Sequence, residues 1–166
     1  TDARLVVHDP ESSTYDCHFG PFSEADFADL PTQPWTLLVR PVDRYLDSVS
    51  ALRHLIDFLP TWRLDDMMVS YATEGGGVGP HFDEYDVFLV QIRGRRHWAT
   101  GASCGPHTIL ADHPDLRLLA SFQPESEYVL APGDLLYLPP VRRERPAGTA
   151  ASRLANSTAL GAISSH

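Results

Sequence analysis

The segment that decides the fold runs from Gly79 to Trp98, GPHFDEYDVFLVQIRGRRHW. DVFLVQI is apolar at nearly every position, as in a strand buried on both faces, and RGRR places a turn before a second strand that begins at Arg96. His81 and Asp83 stand two residues apart just before this hairpin. Taken alone, an H-x-D pair is common and usually solvated. In extended backbone, however, residues i and i+2 point to the same side, so an imidazole nitrogen and a carboxylate oxygen can meet at one metal ion.

Two neighbouring motifs favour a site at this place. EGGGVGP, from Glu74, is a glycine-rich approach that lets the backbone come close to a buried site or adopt a left-handed conformation. LAPGDLLYLPP, which ends at Pro140, predicts a strand that follows a turn and ends at a diproline. In a barrel, such a strand brings the next residues to the rim. A catalytic metal usually needs a third protein ligand, and we expect it shortly after Pro140.

The rest of the chain predicts short helices followed by many short strands. SEADFADL, from Ser23, is typical of a helix with Ser23 as its N-cap and Asp26 three residues further on, as in a capping box. SVSALRHLIDFLP, from Ser48, places five apolar residues on one helical face before Pro60: Val49, Leu52, Leu55, Ile56 and Leu59. Strands are predicted for WTLLVR, MMVSYAT, YDVFLVQI, RHWAT, EYVLA and DLLYLP. This order favours a mainly β fold, an antiparallel sandwich or barrel with the short helices packed outside.

Composition restricts the class of protein. A chain of 166 residues with 43% hydrophobic residues is long enough for one domain with a real core. The formal charge of −9 disfavours a broad basic face, so we expect no direct binding of nucleic acid. No apolar run is long enough to span a bilayer, no basic and apolar export signal is visible, and Cys17 and Cys104 form no C-x-x-C pair. We therefore expect a cytoplasmic protein without a membrane segment.

The run DDMMVSYATEGGGVGPHFDEYDVFLVQIRGRRHW, followed by PGDLLYLPP, resembles the JmjC-type ribosomal oxygenases of the cupin superfamily. The resemblance extends from about His18 to Pro140 and is strongest to the bacterial enzymes that hydroxylate an arginine side chain of a large-subunit ribosomal protein. It implies a double-stranded β-helix fold, Fe(II) as metal, and 2-oxoglutarate as co-substrate, which is oxidised to succinate and carbon dioxide as one oxygen atom enters the protein substrate. Family members also dimerise through a helical region that has no counterpart in these residues.

The resemblance implies a role for four residues. His81 and Asp83 match the first two iron ligands of the family. Arg96 matches the basic residue that holds the far carboxylate of 2-oxoglutarate, and Ser70, on the preceding strand, is the candidate for assisting it. An arginine can bind a carboxylate through two parallel hydrogen bonds, although arginines at turns are more often solvated.

The sequence departs from the family pattern after Pro140. The family has its third iron-binding histidine and a glycine a few residues further on, whereas PPVRRERPAG has no histidine and Glu144 stands at or near that position. His97, His107, His113 and His166 are expected to be solvated or packing residues. No aromatic residue and no strand alternation follow Val141. We therefore predict a JmjC/cupin domain over 1–140, incomplete at its C-terminal end, and an aberrant or disordered tail over 141–166.

Two hypotheses explain this departure. In the first, the chain is a natural variant whose iron site is lost or remodelled, which leaves a cupin that binds a ligand without turnover. In the second, the coding frame has shifted near Pro140 and the tail is translated in the wrong frame. For the function, the leading prediction is an Fe(II)- and 2-oxoglutarate-dependent protein hydroxylase. A non-catalytic cupin binding module is the alternative, and a purely structural β-barrel is the third.

Overall fold

The chain is described from a computed structural model covering residues 2–102, 104–105, 107–140, 149–154 and 157–164. The described part is mainly β, with few and short helices. The strands are β1 (Asp2–Asp9), β2 (Thr14–Phe19), β3 (Trp35–Arg40), β4 (Leu64–Ala72), β5 (Asp86–Arg93), β6 (Arg96–Gly101), β7 (Pro124–Leu130), β8 (Leu135–Leu138), β9 (Thr149–Leu154) and β10 (Ser157–Ser164). The helices are α1 (Glu24–Ala28) and α2 (Asp47–Ser50), with 3-10 turns at Ala51–Ile56 and Thr61–Arg63.

The strands form two antiparallel sheets. The larger sheet has the order β2-β1-β3-β4-β10-β5-β8, and the smaller has the order β7-β6-β9. The two strands and the turn predicted from the decisive segment are present, but the prediction that they form a hairpin is wrong. β5 lies in the larger sheet beside β10 and β8, and β6 lies in the smaller sheet beside β7 and β9. The polypeptide therefore crosses from one sheet to the other at the turn between Arg93 and Arg96.

The core between the sheets is apolar. It contains Val87 and Leu89 of β5, Leu138 of β8, Trp98 of β6 and Leu130 of β7, all buried. The alternate residues of β5, Phe88 and Val90, face the other way and pack with Met67 and Ile56. Both faces of β5 are buried, and the strand is therefore apolar almost throughout, as its sequence predicted.

The helical segments lie outside the larger sheet. α1 begins with the predicted capping box, in which Ser23 and Asp26 hydrogen-bond reciprocally. The α-helix predicted from Ser48 is shorter than expected. α2 has only four residues, and a 3-10 helix follows it to Ile56. Val49, Leu52, Ile56 and Leu59 join the outer core, but Leu55 is exposed. The prediction for Leu55 is wrong, since its side chain is 49% exposed.

The six predicted strands are all present, and the sequence missed four others. Two of these, β1 and β2, pair with each other from Arg4 opposite Phe19 to Asp9 opposite Thr14. The other two correct the prediction of a strandless tail. β9 pairs with β6, and β10 lies between β4 and β5 and pairs with both. No helix in the described ranges is long and apolar enough to cross a membrane.

Candidate active site

A loop of residues 73–85, between β4 and β5, carries the H-x-D pair. Its glycines have the conformations expected of the glycine-rich approach. Gly75 and Gly79 have φ of +74° and +78°, in the left-handed region. A Cβ at Gly76 would lie 2.4 Å from the carbonyl oxygen of Trp35, so only glycine allows the loop to approach β3 this closely. The loop is therefore held near the sheet by backbone contacts that need these glycines.

His81 and Asp83 converge at the end of this loop. His81 Nε2 lies 3.6 Å from Asp83 Oδ2, and the side chains are 26% and 45% exposed. Neither residue lies on a named strand, which corrects the prediction that the pair sits on a regular β-strand. The local backbone still points both side chains to one place. Two metal–ligand bonds of about 2.1 Å can reach donor atoms at this separation.

Hydrogen bonding decides which nitrogen of His81 can bind a metal. His81 Nδ1 lies 2.9 Å from the carbonyl oxygen of Gly79. Because a carbonyl can only accept, Nδ1 carries a proton and donates it. Nε2, which faces Asp83, then has the lone pair that a metal ion requires. The His81–Asp83 pair therefore fits a divalent metal ion in both geometry and donor chemistry.

The electrostatics of this pair favour a cation. Burial by itself lowers the pKa of His81, but the Asp83 carboxylate and the Gly79 carbonyl outweigh it and raise the pKa of His81 above its usual range. For Asp83, burial raises the pKa, while neighbouring His81 lowers it by more, so the pKa of Asp83 lies below its usual range. The negative potential that favours a proton on Nε2 would equally favour a metal ion there.

Arg96 and Ser70 form a second pair, which connects the two sheets. Arg96 is only 3% exposed, and its Nη1 donates to Ser70 Oγ at 2.7 Å. Its guanidinium also lies over the Trp98 ring, 5.7 Å from the centroid. Burial lowers the pKa of Arg96 to about 10. Since Ser70 belongs to β4 and Arg96 to β6, this contact lies in the interior between the sheets.

The third metal ligand is not supplied by the described residues. No group of three His, Cys, Asp or Glu side chains in the described ranges could hold a metal ion. His97 pairs with Glu127, with 3.2 Å between Nε2 and Oε2, and His113 Nε2 contacts the carbonyl oxygen of Tyr15 at 2.9 Å. His107 is exposed, and Glu144 and His166 lie outside the described residues.

Sequence reasoning missed the residues that surround the loop of residues 73–85. Tyr15 of β2 and Leu118 flank Gly79, where an added Cβ would lie 3.1 Å and 2.7 Å from their side chains. Tyr15 stacks on His8, and His8 Nδ1 lies 3.3 Å from the Gly75 carbonyl oxygen. These residues come from segments far apart in the chain, and no motif in the sequence marks them.

Comparison with known proteins identifies the class. The JmjC domain family matches residues 51–162, and the chain belongs to this family. The match extends beyond Pro140 and includes β9 and most of β10.

Two bacterial proteins are among the relatives of this chain. It is 40% identical over 139 residues to the ribosomal protein uL16 3-hydroxylase of Escherichia coli, which covers 84% of this chain and 36% of the relative. It is 41% identical over 122 residues to a probable ribosomal oxygenase of Haemophilus influenzae, covering 73% of this chain and 30% of that protein. The chain therefore spans about a third of the length of these relatives.

Solved structures agree with this assignment. An X-ray structure of E. coli YcfD matches with a TM-score of 0.85 and 35% identity, over 99% of this chain and 42% of that chain. The structure of YcfD in complex with cobalt and 2-oxoglutarate matches with a TM-score of 0.79 and 33% identity, over 99% of this chain and 40% of that chain. The mainly β fold expected from the resemblance is thus confirmed as the JmjC/cupin fold.

Proposed function

We propose that the chain is the JmjC domain, or a part of it, of an Fe(II)- and 2-oxoglutarate-dependent protein hydroxylase. The observation that carries the proposal is the convergence of His81 Nε2 and Asp83 Oδ2 at 3.6 Å, with the His81 ring oriented by Gly79. His81 and Asp83 would hold the iron. When bound, the metal would activate dioxygen for oxidation of the co-substrate and insertion of oxygen into the substrate.

Arg96 is proposed to bind the far carboxylate of 2-oxoglutarate, assisted by the Ser70 hydroxyl. A buried guanidinium is costly, as its lowered pKa shows, and an anionic co-substrate would stabilise it. The bond to Ser70 fixes the direction of the guanidinium before the co-substrate arrives. Binding both ends of the dicarboxylate would orient it relative to the metal. The complex of YcfD with cobalt and 2-oxoglutarate supports this choice of ligand.

The proposed substrate is a side chain of a large-subunit ribosomal protein, and arginine is the residue we infer from the resemblance. The E. coli relative is a hydroxylase of ribosomal protein uL16, which supports the substrate class. The net charge of −9 is complementary to a basic protein segment. Such a substrate would be met in the cytoplasm, and dimerisation would require the family's helical region.

Residues after Pro140 bear on catalysis through the third ligand. We propose Glu144 for this position because it stands where the family has its histidine. A shifted coding frame near Pro140 remains the competing hypothesis, and the nucleotide sequence tests it. If neither alternative frame encodes a histidine followed by glycine and a strand-like continuation, that hypothesis is wrong.

The lack of a histidine in PPVRRERPAG, where the family has its third iron ligand, favours one second candidate, a cupin that binds metal or co-substrate without turnover. Succinate production from 2-oxoglutarate with added Fe(II), compared between the wild-type chain and His81→Ala, distinguishes the two functions. We expect succinate above background only from the wild type. Equal rates in both would reject catalysis by this chain, and metal binding with equal rates would select the binding module.

The role of Arg96 has a separate test with a matched control. Arg96→Met should weaken 2-oxoglutarate binding by about tenfold or more, because it removes the charged partner of one carboxylate. Arg95→Met changes the exposed neighbour in the same turn and should leave binding unchanged. Calorimetric titration of 2-oxoglutarate in the presence of Mn²⁺ measures both. Equal affinities of the two variants would contradict the assignment of Arg96.

A further inference from the structure

A hairpin of residues 109–120 lies against the loop of residues 73–85; we refer to this hairpin as the strap. Its two arms are joined by hydrogen bonds from Ala111 N to Leu118 O at 2.9 Å and from Ala120 N to Ile109 O at 3.0 Å. The tip is ordered by His113, whose Nδ1 accepts from the backbone N–H groups of Asp115 and Leu116. Nδ1 is thus an acceptor, so Nε2 carries the proton and donates it to the Tyr15 carbonyl.

The returning arm of the strap contacts the loop just before the metal ligands. Leu119 N donates to the carbonyl oxygen of Pro80, the residue before His81, at 2.9 Å. Leu118 is buried, and its Cδ2 occupies the space beside Gly79. One main-chain hydrogen bond and one apolar contact therefore connect the strap to the backbone that orients His81.

Arg117, the residue before Leu118 in this arm, contacts the residues on both sides of Asp83. Its guanidinium carbon lies over the Phe82 ring, 5.2 Å from the centroid. Its Nη1 lies 3.7 Å from Glu84 Oε1. Phe82 separates the two proposed ligands and Glu84 follows the second, so a single guanidinium joins both flanks of Asp83. No regular strand holds Asp83 in place.

We propose that Arg117 is a positioning residue, which acts through Phe82 and Glu84 to hold Asp83 at the distance from His81 that the metal requires. This inference rests on the proposed function of the pair as metal ligands. A two-residue segment outside any strand ladder has several accessible backbone conformations, and only those that bring the two donor atoms together can bind one ion. Contacts on both flanks of Asp83 raise the population of these conformations.

The expected loss of metal affinity in Arg117→Ala is small because the contacts of Arg117 lie at the surface. Arg117 and Glu84 are 66% and 61% exposed, so solvent screens their ion pair, and the contact with Phe82 is a cation–π interaction at the surface. Interactions of these two kinds together correspond to a change of about fivefold in an equilibrium constant. Arg117→Ala is therefore expected to weaken Co²⁺ binding about fivefold. Arg117→Lys keeps the charge near Phe82 and Glu84 and should remain within about twofold of the wild type.

The test combines metal binding with a measurement that needs no metal. Co²⁺ affinity is obtained by titrating the visible absorption of the bound ion, and amide hydrogen exchange of residues 81–84 is measured on the metal-free chain. Arg117→Ala should bind Co²⁺ about fivefold more weakly and exchange faster at these amides, with Arg117→Lys close to wild type. Arg44→Ala, which removes an exposed arginine between β3 and α2, is the matched control and should change neither quantity.

The outcomes separate this inference from the function on which it rests. If the wild-type chain binds no Co²⁺, the proposed metal site is wrong, and hydrogen exchange alone decides whether Arg117 orders the loop. Unchanged exchange in Arg117→Ala would overturn the positioning role. Tighter Co²⁺ binding in Arg117→Ala would also overturn it, because Arg117 would then act only as a positive charge that repels the ion.

Discussion

At the scale of single residues, the candidate site depends on hydrogen bonds that select one state of a side chain. The Gly79 carbonyl places the proton of His81 on Nδ1 and leaves Nε2 to face Asp83. The Ser70 hydroxyl fixes the direction of the Arg96 guanidinium in the interior. In both pairs the orienting atom adds no charge of its own. The two pairs are therefore oriented by neutral groups of the protein itself.

Gly79 gives a prediction at this scale, because it combines a left-handed φ of +78° with a close approach of Leu118. Gly79→Ala should lower the free energy of unfolding by about 2 kcal/mol or more, from backbone strain plus the displaced Leu118 side chain. Chemical denaturation measures the change.

The matched control is Gly133→Ala, where φ is +96° but nothing lies within 4 Å of the added Cβ. This variant carries the backbone strain without the contact, so it should be destabilised less than Gly79→Ala. Equal losses in the two variants would show that the Leu118 contact is unimportant.

At the scale of elements, β4 connects three parts of the molecule. It pairs with β3 on one side and β10 on the other, and its Ser70 reaches Arg96 of the smaller sheet. The backbone N–H of Met67 donates to the buried Asp43 carboxylate, which also pairs with Arg53. Asp66, the residue before Met67, has a buried Oδ1 without a hydrogen-bond partner.

The buried carboxyl of Asp66 should make the free energy of unfolding depend on pH. Burial is the main cause that raises the pKa of this carboxyl above its unfolded value, so ionised Asp66 destabilises the fold. The penalty is fully present above the raised pKa and disappears as pH falls below the unfolded value of 3.8. Asp66→Asn should therefore raise the melting temperature at pH 7, and the gain should shrink towards pH 4.

Thermal unfolding at several pH values measures this difference between variant and wild type. Asp65→Asn changes an exposed carboxylate on the same strand and serves as the control. A gain for Asp66→Asn that is the same at pH 4 and pH 7 would show that ionisation of Asp66 is not its cause.

At the scale of the whole molecule, the larger sheet depends on a strand from the end of the chain. β10 pairs with β4 from Ser157 opposite Ala72 and with β5 to Ser164 opposite Asp86. It is thus a central strand that joins the β2-β1-β3-β4 half of the sheet to β5 and β8. Without it, two long strand edges would have unpaired backbone groups.

Deletion of residues 141–166 should therefore cause aggregation, which size-exclusion chromatography and light scattering detect. Gly161→Pro is a smaller change with the same target, since it removes a backbone donor from the middle of β10. Gly161→Ala keeps that donor and is its control. A truncated chain that stays monomeric with an unchanged melting temperature would contradict the central position of β10.

Several features followed from the sequence alone because they depend on neighbours in the chain. The apolar run and the RGRR motif predicted β5 and the turn before β6. Ser23 and Asp26 predicted the cap of α1, and the spacing of His81 and Asp83 predicted that their side chains would meet. Local backbone geometry controls each of these. The family resemblance came from the same stretches, and the JmjC match confirms it.

The tertiary structure decided what depends on residues distant in the chain. Burial of Arg96 against Ser70 requires the two sheets to face each other. The position of β10 requires two partners that are 65 residues or more away, since its nearest pairing in sequence is Thr158 with Arg93. Nothing in the sequence distinguishes Arg117 from other surface arginines. Its contacts with Phe82 and Glu84 arise only because the strap folds against the loop. A sequence pattern reports which conformations a segment prefers. Which segments then meet is set by the packing of the whole core, because burial of apolar surface does not depend on separation along the chain.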